Sequence, residues 1–62
     1  MVSFSKDDIH QLLDLWRTAL VAGAFSRYAR LQWAANEWSK LHPGEKMAAY
    51  RELDAQTRGY GA

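Results

Sequence analysis

Sixty-two residues with a formal net charge of +1 leave room for one domain at most. The chain has no cysteine, which excludes disulfide staples and thiolate metal sites, and His10 and His42 alone cannot complete a structural zinc site. A hydrophobic share of 48% argues for a folded chain, and a charge this close to neutral is far from the dense basicity of a dedicated duplex binder.

The first element is read over 5–22. Ser5 is placed to cap it, Asp8 supplies the returning carboxylate of a capping box, and Phe4 with Ile9 forms a hydrophobic staple. Asp7 and Asp8 also suit the positive end of the helix dipole. Ile9, Leu12, Leu13, Trp16, Ala19 and Leu20 recur at helical spacing, with Leu15 and Ala22 on one shoulder. The opposite face carries Asp7, His10, Gln11, Asp14, Arg17 and Thr18.

The second element is read over 26–41, with Ser26 as its cap. Tyr28, Leu31, Ala34, Ala35, Trp38 and Leu41 share one of its faces. Between the two lies Gly23, and two readings are open. The apolar phases of both segments nearly match, so one long helix bent near Gly23 would keep a single stripe. Arg27 interrupts that stripe, and a buried unpaired arginine is costly, which favours a break at Gly23.

Pro43 opens the third element, read over 43–58, because proline suits the first position of a helix and pushes the residue before it out of helical geometry. Its apolar arc is Met47, Ala49, Tyr50, Leu53 and Thr57, and Gly59 reads as its stop. No run alternates as a strand should. The expected fold is all-α: a small three-helix domain, or one long bent helix plus a shorter one. Its expected core is Leu12, Leu13, Trp16, Leu20, Leu31, Trp38, Tyr50 and Leu53.

Little in the chain suggests chemistry. Asp7, His10 and Asp14 share a helix face, but one exposed turn supplies too few ligands for a metal, and a solvated face is the simpler reading. No glycine-rich loop precedes a helix, and a chain this short struggles to enclose a pocket. The expectation is a protein that is not an enzyme and uses neither cofactor nor metal.

The middle segment is where binding is expected. Over 25–42, Arg27, Arg30 and Lys40 face a single acidic residue, Glu37. Trp33 points off the apolar stripe, so a second surface has to bury it. That surface is another helix of this chain or a different molecule, for which tryptophan is a common anchor. Tyr28, Arg30 and Trp33, with Arg27 and Lys40 beside them, are the expected partner-binding group. The same residues could contact phosphates and stack on bases.

Residues 37–60 resemble the second half of an HMG box. Trp38, Leu41, Pro43, Glu45, Lys46, Tyr50 and Tyr60 fit that family's tryptophan, short turn, Glu-Lys pair and later aromatics. The resemblance covers about two-fifths of the chain. It implies helix packing around Trp38. The first half departs from the family: the basic, proline-containing N-terminal strand, the Phe-rich start of the first helix and the dense Lys/Arg are missing, and these are the parts that grip the minor groove.

The sequence therefore leads to a small helical binding or assembly subunit of a larger complex, such as a viral particle, working as an oligomer or as an accessory to a bigger protein. The alternative is an HMG-like or single-strand nucleic-acid module. No run is long enough to span a membrane, since the longest, 19–25, is short and contains Gly23. Asp7 and Asp8 precede the apolar residues, which does not suit a secretory signal. A place in the cytoplasm, or inside a virion or complex, is expected.

Overall fold

Ser5 starts the first helix as its spacing requires. Its hydroxyl accepts the Asp8 amide at 3.1 Å, and the Asp8 carboxylate accepts the Ser5 amide at 3.1 Å, closing the capping box. The helix that follows, α1, spans Lys6–Val21. A computed structural model describes this chain over residues 2–59. Tyr60, the last position of the HMG-like pattern, lies outside the described residues.

The chain breaks at Gly23, so the single bent helix is not formed. Gly23 adopts φ +94°, a left-handed conformation. Its amide donates to the Leu20 carbonyl at 3.1 Å, and the Ala24 amide donates to Ala19 at 2.9 Å. This pair of bonds is a Schellman closure, which needs a left-handed residue at that position. Ser26 then accepts the Ala29 amide at 3.1 Å and starts α2, Arg27–Leu41.

The third helix, α3, spans Lys46–Gln56, shorter at both ends than the sequence suggests. Pro43 is not its first residue. Residues 42–45 form a tight turn in which the Glu45 amide donates to the His42 carbonyl at 3.2 Å. Gly44 sits at φ +87°, so Pro43-Gly44 occupies the two central positions of a type II turn. Gly59 is not a left-handed cap either; Thr57 closes α3, its amide donating to Leu53 at 3.0 Å.

Each helix runs back along the previous one. Phe4, before α1, meets Trp38 near the end of α2, while Arg30 near the start of α2 reaches Trp16 in α1. Arg27 at the start of α2 reaches Asp54 and Thr57 at the end of α3. The core is Leu12, Trp16, Leu31, Ala34, Ala35, Trp38, Ala49 and Leu53. Its alanines let the helices approach closely around the two indoles. Trp38 is sealed on several sides: Phe4 meets it edge-on at 5.8 Å, His42 stacks on it at 4.1 Å, and its Nε1 donates to Glu45 at 3.1 Å.

Several residues of the expected core and of the apolar faces read from sequence lie elsewhere. Leu20 is 43% exposed, because the sharp corner at Gly23 closes without covering the last turn of α1. Tyr28 and Leu41 stand at the two ends of the α2 stripe, and both are exposed. Met47 is also exposed, on the first turn of α3. Leu13 and Tyr50 flank the core rather than fill it. Thr57, by contrast, is fully buried.

Candidate functional site

Arg27 occupies the α2 stripe at the same phase as Leu31, Ala34 and Trp38. Its guanidinium therefore enters the seam between α2 and α3. Nη1 donates to the Thr57 carbonyl at 3.0 Å and to its hydroxyl at 2.9 Å; Nη2 donates to the Asp54 carbonyl at 2.9 Å and to its carboxylate at 2.7 Å. The Thr57 hydroxyl in turn donates a hydrogen bond to the Leu53 carbonyl at 2.6 Å. The hydrogen bond from Arg27, seconded by one from Arg58 at 3.3 Å, holds the Asp54 carboxyl below the ordinary carboxylate range.

Arg30 lies one turn further along. Its Nε and Nη2 donate to the Trp16 carbonyl at 3.2 and 3.0 Å, and its guanidinium carbon stands 3.8 Å from the Trp16 ring centroid. Arg27 is 5.6 Å from the same ring. Trp16 thus takes a cation over its indole face. Burial lowers the affinity of Arg30 for its proton, and an arginine so lowered still stays charged.

The other expected binding residues diverge. Lys40 pairs with Glu37 at 2.7 Å. Trp33 is half-buried and packs against the core cluster. Tyr28 is exposed, its hydroxyl accepting from Gln32 at 2.6 Å. At about 100° per residue, Tyr28 and Trp33 lie roughly 140° apart around α2, so the group named from sequence is not one surface. Asp7, His10 and Asp14 stay on an exposed helix face, where Asp14 pairs with Arg17 at 3.0 Å. Among the described residues, no three His, Asp or Glu side chains stand close enough to hold a metal ion.

Two features emerge that the sequence pattern did not single out. The first is the corner between α1 and α2. Val21 is 89% exposed and Phe25 78%, with Leu20 and Tyr28 on either side of them. The segment 18–26 carries no charged residue. Large apolar side chains therefore stand exposed along a charge-free stretch of chain. The available signal was the uncharged, apolar run 19–25.

The second feature is at the other end of α2. A groove of about 510 Å³ runs between the N-terminal segment and α3, lined by Val2, Phe4, Met47, Arg51 and Glu52 among others. Met47 in its wall is 63% exposed. Arg51 and Glu52 bring opposite charges to its lining. No helix is long and apolar enough to cross a membrane among the described residues. Comparison with protein-family models, with curated proteins and with solved structures finds no match, so the HMG-like pattern of 37–60 rests on its own residues.

Proposed function

We propose that this chain is a small helical binding subunit that works inside a larger assembly and performs no catalysis. The observation that carries the reading is the uncovered corner with Val21 and Phe25 exposed and no charge from 18 to 26. Water in contact with two large apolar side chains is a standing cost, and association removes it. Of the residues named from sequence, Tyr28 belongs to this corner, and Trp33 serves the core behind it.

The alternative, a nucleic-acid module, would draw on Arg27, Arg30, Trp33 and Lys40 together. The two guanidiniums are held by Asp54, Thr57 and Trp16, and Lys40 is paired with Glu37. Their engagement within the chain favours the protein-binding reading.

Gentle size fractionation of a lysate from the native cells tests it. The chain should travel in a fraction well above its 7.1 kDa mass. The double substitution Val21→Lys, Phe25→Glu should return it to its own mass with helicity intact. A native chain that already runs at its own mass would overturn the reading.

A further inference from the structure

We infer that α3 is a lid: it leaves the α1–α2 hairpin as one unit, unwinding as it goes, while the hairpin stays folded. This goes beyond the assembly reading and stands independently of it. Left to itself, α3 would not hold a helix. It has 11 residues, fewer than the roughly 12–15 at which even a good isolated helix is marginal in water. Glu45 at its N-cap makes no capping bond and gives its carboxylate to Trp38 Nε1 instead. Lys46 opens the helix and Asp54 stands in its last turn, each the wrong sign for the helix dipole at that end.

What holds α3 is supplied by α2. No basic residue stands in the last turn of α3 itself. Arg27 brings donors there from α2, to the Asp54 and Thr57 carbonyls and to the Asp54 carboxylate. Trp38 holds the other end through Glu45 at 3.1 Å. Between these two clasps α3 buries Ala49 and Leu53, whereas α2 buries four side chains, an indole among them. The apolar attachment of α3 is thin by comparison.

The hairpin keeps its own supports when α3 leaves. The Ser5 capping box, the Gly23 closure and the Ser26 cap all lie within it. So does Arg30 on the Trp16 carbonyl and ring. Phe4 and His42, both outside α3, remain on Trp38. Opening therefore takes Glu45 from Trp38 and withdraws Ala49 and Leu53 from the core, and it costs less than unfolding the whole chain. The end of α3 that would otherwise fray is the end that Arg27 clamps, so the helix lets go whole and not from its tip.

Hydrogen exchange of the purified chain, followed amide by amide by NMR, tests this. Amides 49–56 should open with one shared free energy. Their protection should lie at least about tenfold below that of 12–16 in α1 and 31–38 in α2. Ser5→Ala removes a cap that is present whether α3 is closed or open. It should lower protection in α1 and α2 about fivefold and leave α3 where it was. Arg27→Ala should lower protection in all three helices, because its clasp is absent from the opened chain and the unfolded chain alike.

Equal protection in all three helices, falling together in Ser5→Ala, would mean one cooperative unit and would overturn the inference. Protection that declines residue by residue toward 56 would be fraying, and would overturn it as well. If α3 is as protected in Arg27→Ala as in the wild-type chain, Arg27 is not its clasp and the lid reading fails.

Discussion

Arg27 carries more structure than any other single side chain here. Sequence reasoning treats an arginine on an apolar stripe as a fault, since its burial is costly without partners. Here it has four hydrogen bonds, two of them to backbone carbonyls at the end of α3. The fork geometry of guanidinium lets one group satisfy Asp54 and Thr57 together, which lysine cannot do. Arg27→Ala should therefore cost roughly 1.5–3 kcal/mol in urea unfolding, and Arg27→Lys should recover only part of the loss. The same contact predicts an acid response. The Asp54 carboxyl is held below its ordinary range, by Arg27 first and Arg58 second. At neutral pH it is charged in the folded and unfolded chain alike, and its pairing contributes fully. As pH falls through about 4, the unfolded chain takes up the proton first, so stability declines until the folded carboxyl is protonated as well. Asp54→Asn should lower stability at neutral pH and flatten this part of the acid limb in melts recorded across pH. An acid limb of unchanged slope in Asp54→Asn would mean that other carboxylates set it.

At the scale of elements, the glycine at 23 decides the architecture. Its left-handed φ of +94° closes α1 and turns the chain so that α2 can pack back on it. A β-carbon there would meet nothing within 4 Å, so the requirement is conformational and not spatial. Gly23→Ala should then destabilise by roughly 1–2 kcal/mol, the cost of a left-handed L-residue. A through-running helix would instead gain from the same substitution, so the sign of the change in a thermal melt checks the break. How legible each element was follows from the range of its signal. Ser5 with Asp8 and Ser26 with Ala29 act over three residues, and their caps could be read directly. Pro43 carried two compatible meanings, helix start and turn, and its neighbour Gly44 at φ +87° settles it as a turn. The candidate site was the least legible. Whether Arg27 and Arg30 face solvent depends on Thr57 and Trp16, which are 30 and 14 residues away, and helical spacing says nothing about partners that far off. The apolar corner was visible as composition in 19–25, but its exposure depends on how tightly the connection closes.

For the molecule as a whole, the question is how 62 residues without a cysteine remain folded. Domains of this size bury a smaller share of their surface than larger ones and are marginal unless something adds to them. Here the core holds two indoles packed among alanines, and Arg27 and Arg30 clamp its seams. Apolar side chains at the corner add nothing to that core while they face water. Assembly would bring them into play, because a contact made only by the folded chain stabilises it by mass action. Where the assembly is an oligomer of this chain, the melting midpoint should depend on protein concentration. A partner at a hundredfold excess over its dissociation constant adds about 2.7 kcal/mol. In a domain this small, about 1 kcal/mol moves the midpoint by roughly 4–8 °C. Calorimetry over a hundredfold range of concentration should show a rising midpoint for the wild-type chain and a flat one for Phe25→Glu. The dilute limits of the two should coincide, because Phe25 is outside the core and its loss leaves the isolated fold unchanged. A midpoint independent of concentration in the wild-type chain would mean that the fold holds itself together unaided. A lower dilute-limit midpoint in Phe25→Glu would mean that the ring at the corner supports the α1–α2 turn from within the same molecule.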